Sequence, residues 1–127
     1  MAGRITFRAG DVEHEPLDAV LAPEALVIAT SDGPEAQAEA LRAACAAALA
    51  RVAGEGARTV AIAPPAAGGL SRQRAAEALL EAARAHLAED GSLAEIRFVL
   101  PDEPSLRVFE SVQDAWKIAQ QARRWST

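Results

Sequence analysis

Two short stretches of this chain carry residues whose types and spacing suit ligand chemistry. The first is Pro64-Pro65-Ala66-Ala67-Gly68-Gly69-Leu70-Ser71. It follows the apolar run Val60-Ala61-Ile62-Ala63, which reads as a strand covered on both faces. Proline stops such a strand because it cannot donate to the ladder. Ala66 to Gly69 are almost free of side chain, so backbone can approach a ligand there, and Gly68 and Gly69 can adopt positive φ. Ser71 is placed to N-cap the helix that follows, where Ala76, Leu79, Leu80, Ala83 and Leu87 share one side. A helix N-terminus behind a glycine turn, at the carboxyl end of a strand, offers free N–H groups and partial positive charge to a phosphate or pyrophosphate. The competing reading is a tight strand-to-helix connection with no ligand. No Lys follows the glycines, which excludes a P-loop.

The second stretch is Gly10 to Glu15, where Asp11, Glu13 and Glu15 alternate with Val12 and His14. It reads as a solvated acidic loop rather than a metal site. His86, the other histidine, has no second ligand at metal-site spacing, so no metal is expected. The single Cys45 excludes an internal disulfide framework, and its alanine neighbours predict burial rather than reactivity. No catalytic constellation is assigned, and no cofactor is implied.

The elements that must position these stretches are legible as an alternation. Arg4 to Ala9 alternates strictly, with Ile5, Phe7 and Ala9 inward, which predicts a half-exposed strand near a sheet edge. Pro16 to Ala22 reads as one or two helical turns, and Leu26 to Thr30 as an apolar strand. A helix is expected over 35–53, capped by Ser31 or Asp32, with Leu41, Cys45, Ala48, Leu49 and Val52 buried. After the central strand and helix, Ile96 to Leu100 reads as a strand with Arg97 an exposed interruption. A last helix is predicted from near Ser105 to near Arg124. Strands alternating with helices imply an α/β domain with a mostly parallel sheet between helical layers.

Composition narrows the function classes. With 127 residues and half of them apolar, residues 1–127 read as a single domain able to fold without staples. A net charge of −5 argues against nucleic-acid binding. No long apolar span or targeting segment is visible, which predicts a soluble cytoplasmic protein without a membrane partner. Trp125, at the end of the last helix, is expected to dock on the body or on a second subunit in a homodimer.

Several matches fall in order along the chain: Ala61-Ile62-Ala63, Pro65-Ala66, Gly68, Ala75-Ala76, Arg97-Phe98-Val99 and Val108-Phe109-Glu110. Together they resemble the carboxyl half of a macro domain, and Ile5 with Gly10-Asp11-Val12 resembles that family's opening strand and "Gly-Asp-Ile". The resemblance implies a shortened, divergent three-layer α/β/α macro-like domain that binds ADP-ribose or a related phosphorylated nucleotide weakly. It places Asp11 on the adenine amino group and Val12 on the ring. Ala67, Gly68, Gly69, Leu70 and Ser71 would lie along the diphosphate and distal ribose. Leu100 falls where an aromatic often stacks on the adenine. The family's ribose-orienting Asn has no counterpart, because the chain contains no Asn, and the triple-glycine loop is absent. The resemblance therefore implies binding without hydrolysis. Its alternative is a macro-like scaffold that has lost its ligand and acts through protein contacts.

Overall fold

The computed structural model describes residues 3–12, 16–26, 33–65, 70–89 and 92–125. The expected strand over 26–30 and the His14 loop fall largely outside these residues. The elements are β1 (Arg4–Ala9), β2 (Ala19–Leu21), a 3-10 turn (Pro23–Leu26), α1 (Pro34–Gly54), β3 (Thr59–Ile62), α2 (Arg72–Glu89), β4 (Glu95–Leu100) and α3 (Glu103–Trp125).

The four strands form one sheet in the order β1-β4-β3-β2. Every pairing is parallel: Arg4 to Ala9 runs beside Glu95 to Leu100, and Val60 pairs with both Ile96 and Ala19. The α/β fold with a mostly parallel sheet thus stands, and among the described strands β1 lies at an edge, as its alternation implies.

The strand period of two sorts the side chains onto two faces. On one face Ile5, Phe7, Val60, Ile62, Ile96, Phe98 and Leu100 join the buried sides of α1, α2 and α3 in a single core. Cys45 is part of it, and burial pushes its thiol up to about 12. A thiol that stays protonated is a packing group, not a nucleophile. On the other face Ala61 and Val99 pack with Val12, Leu17 and Ala63.

Three expectations are corrected. Residues 16–22 are not helical: Ala19–Leu21 is a strand paired with β3. Asp18 makes that pairing possible, because its Oδ2 accepts the backbone N–H of Arg58 at 2.9 Å and Thr59 at 3.3 Å. The Thr59 hydroxyl returns the contact by accepting the Asp18 N–H at 3.0 Å. Second, Gly33 occupies the N-cap of α1 with no side-chain cap bond, followed at once by Pro34, in place of Ser31 or Asp32. Proline suits this first position because its missing N–H would be unsatisfied anyway. Third, Arg97 is not an exposed interruption but half-buried, with its guanidinium on Glu95.

Candidate functional site

Because every pairing is parallel, β1, β4 and β3 deliver their carboxyl ends to the same edge, the place where open α/β sheets take ligands. The chain leaves β1 through Gly10 at φ 153°, a conformation that side-chain-bearing residues rarely adopt. Its N–H still donates to the Leu100 carbonyl at 2.9 Å, so the turn over the sheet end starts from a fixed point. Asp11 is exposed at that turn. Val12, only 6% exposed, is driven into the small cluster with Ala61 and Val99. Its burial anchors the segment, so the orientation of Asp11 is set from beneath.

Across the same edge, Ser71 caps α2. Its hydroxyl accepts the Arg74 N–H at 3.1 Å and its carbonyl accepts the Ala75 N–H at 3.0 Å. Leu70 is buried in the main core and pins the turn from below. Of the expected site residues, Asp11, Val12, Leu70 and Ser71 therefore border one edge of the sheet. Two are exposed and two are anchors. Ala67, Gly68 and Gly69 lie outside the described residues.

The sequence reading missed the recess beside them. A cavity of about 330 Å³ opens at the ends of β3 and β4, with Pro64, Pro65, Leu100 and Phe109 as apolar wall and Arg72 and Asp102 at the polar end. Asp102 caps α3: its Oδ1 accepts the Ser105 N–H at 2.9 Å. That bond, then the Ser105 hydroxyl and the charge of Arg72, hold the carboxyl below its usual range. Two helix N-termini thus open beside one recess, α2 capped by Ser71 and α3 by Asp102. The spacing Asp102-x-x-Ser105 was the available signal, since it places an acceptor one turn before a first-turn amide. Asp11 does not line this recess.

A larger cavity, about 500 Å³, runs between α2 and α3. Arg84 there sits 4.5 Å above the Trp116 ring and donates to the Gln113 side-chain oxygen at 2.9 Å. Despite its size, it lies between helices rather than at the strand ends, and it contains none of the expected site residues. Among the described residues no group of three His, Cys, Asp or Glu could hold a metal ion. Nor is any helix there long and apolar enough to cross a membrane.

No protein-family model matches the sequence, and no curated protein matches it either. Solved structures do match the fold. The Trypanosoma brucei macrodomain in complex with ADP superposes with a TM-score of 0.69 at 16% identity, over 85% of this chain and 68% of that one. The same macrodomain in complex with ADP-ribose gives 0.68 at 16% identity, over 84% and 68%. A further crystal form gives 0.68 at 16% identity, over 84% and 65%. The fold is that of a macro domain, of the three-layer α/β/α class; among the described residues the buried sides of α1, α2 and α3 all join the core on one face of the sheet.

Proposed function

We propose that this chain binds ADP-ribose or a related phosphorylated nucleotide at the carboxyl edge of its sheet. One observation carries the reading: the Gly10-Asp11-Val12 turn and the Ser71-capped start of α2 flank the same strand ends in a macro fold. The T. brucei macrodomains of this fold were solved with ADP and with ADP-ribose. In this chain Asp11 takes the amino group of the base, with Val12 holding it in place beneath the ring. Ala67, Gly68, Gly69, Leu70 and Ser71 run along the diphosphate and the distal ribose. A helix N-terminus contributes only ~0.3–1 kcal/mol per favourable charge at an exposed site. The affinity is therefore modest.

The chain binds without hydrolysing. No Asn occurs in it, so no carboxamide of that kind orients the ribose or a water. Positioned groups of that sort are worth ~10²–10⁴ in rate.

Calorimetric titration of the whole chain with ADP-ribose, ADP, AMP and inorganic phosphate tests the proposal. ADP-ribose should give saturable heat, phosphate little, and Asp11→Ala should weaken ADP-ribose by about tenfold, as expected for one hydrogen bond to a charged group. Absence of heat with millimolar ADP-ribose would sink the proposal.

A further inference from the structure

We infer that α3 pairs two copies of this chain, antiparallel, through the side of its carboxyl half that faces away from the core. The helix spans Glu103–Trp125, yet its buried residues, Ser105, Phe109 and Gln113, all lie in its first half. From Asp114 onward it is essentially exposed. Phe109, Gln113 and Trp116 mark the side turned to the body, where Trp116 meets Arg84. Ile118, Ala122 and Trp125 follow at i, i+4 and i+7, which puts them together on the opposite side. Ile118 is 66% exposed and Trp125 is 85% exposed. A helix apolar on two opposite sides has two surfaces to bury, and the body covers only one.

Charge decides the occupant. Glu110, Lys117 and Arg124, seven residues apart, line one flank of this second side. A parallel copy would oppose Glu110 to Glu110 and Arg124 to Arg124. An antiparallel copy, about a two-fold axis near Lys117 and Ile118, brings Glu110 to Arg124 twice; the two Lys117 side chains then meet at the axis, each within a turn of the other copy's Asp114, so opposite-charge contacts outnumber the one like-charge contact. Such a contact is isologous and closes as a dimer. An anionic lipid surface would accept Lys117 and Arg124 but repel Glu110 and Asp114 on the same side. The patch is small beside the ~800 Å² per partner of a stable interface, so the dimer dissociates readily on dilution. The inference is independent of the nucleotide, since none of these residues lies at the carboxyl edge of the sheet.

Sedimentation equilibrium on the whole chain, from low micromolar to several hundred micromolar, provides the test. A reversible monomer–dimer equilibrium is expected. Ile118→Glu should abolish it. Glu110→Arg and Arg124→Glu should each raise the dissociation constant by about tenfold or more, and the double exchange Glu110→Arg/Arg124→Glu should restore it, because the reciprocal pairs re-form with reversed sign. Restoration also excludes misfolding as the cause of the single effects. A chain monomeric throughout, a dimer indifferent to both charge reversals, or a double exchange that fails to recover would each overturn the inference. So would a monomer that instead co-sediments with phosphatidylserine vesicles through Ile118.

Discussion

On the helix-covered face of the sheet, order comes from hydrocarbon. On the opposite face it comes from charge. The three phenylalanines of the chain meet on the first: the Phe98 ring centroid lies 5.4 Å from Phe109 and 6.2 Å from Phe7. On the second, Glu95 is 6% exposed and collects donors from three directions. Arg4 reaches its Oε1 at 3.2 Å, while the Thr6 hydroxyl at 2.7 Å and Arg97 at 2.9 Å share its Oε2. Burial pushes the Glu95 carboxyl up, but the hydrogen bonds from Thr6, Arg4 and Arg97 outweigh it and hold the group below its usual range. The lesson is that a sheet can be covered by helices on one side and still fix its other side, provided a buried acid is fully hydrogen-bonded.

The contrast makes the two faces fail differently. Phe98→Ala should be the most damaging change, destabilising by ~3–5 kcal/mol, because it opens a cavity beneath three helices. Urea denaturation would check this, and a loss under 1 kcal/mol would mean that the aromatic cluster is not the centre of the core. Glu95→Ala should follow at ~1–3 kcal/mol, since it removes the buried acceptor of the Thr6 hydroxyl and the carboxylate on which Arg4 and Arg97 converge. The same residue predicts a pH dependence. A carboxyl whose folded pKa is depressed contributes stability above its unfolded pKa, and that contribution is lost as pH falls through the folded value. Urea midpoints should therefore drop below about pH 4.5, and Glu95→Gln should flatten that part of the profile. An unchanged acid limb would place the titration elsewhere.

Gly10→Ala sharpens the comparison at the joint between the two faces. An added Cβ meets nothing within 4 Å, so any loss is backbone strain at φ 153°, of order ~1–3 kcal/mol. Asp11 should swing with it, and ADP-ribose affinity should fall even where the protein stays folded. The smallest effect should come from Ser71→Ala, ~0.5–2 kcal/mol through the lost cap of α2. Thermal unfolding would resolve it, and no change would mean that water replaces the hydroxyl.

Much of the first face was legible in the sequence, for a local reason. Ile5 and Phe7 alternate, and Leu41, Cys45, Leu49 and Val52 repeat at helical spacing, so each element announces its buried side by its own period. The second face was not legible. Thr6 and Arg97 read as solvent-facing because nothing local says that Glu95 will sit between them. Their contact joins residues 89 positions apart. The misreading of 16–22 has the same origin. Leu17, Val20 and Leu21 fall at i, i+3 and i+4, which imitates a helix, while the strand there is set by pairing with Val60 to Ile62 of β3, some forty residues on, and by Asp18 on the Arg58 and Thr59 amides. The candidate site divides likewise. Ser71 as a cap follows from its neighbours, and Cys45 as an inert core thiol from its alanines. The recess between Pro64 and Phe109 arises only when β3, β4, α2 and α3 come together.

The strand order has a consequence for how the molecule is made. Among the described strands β1 stands earliest in the sequence, yet the neighbour it pairs with there is β4, the latest. Until Glu95 to Leu100 is synthesised, Ile5 and Phe7 wait with no place to dock and a bare edge of amides beside them. Closure by so distant a pairing is slow by nature. A rearranged gene that begins at β2 and carries β1 after α3, through a spacer, would let the edge strand arrive last and should assemble faster from the nascent chain.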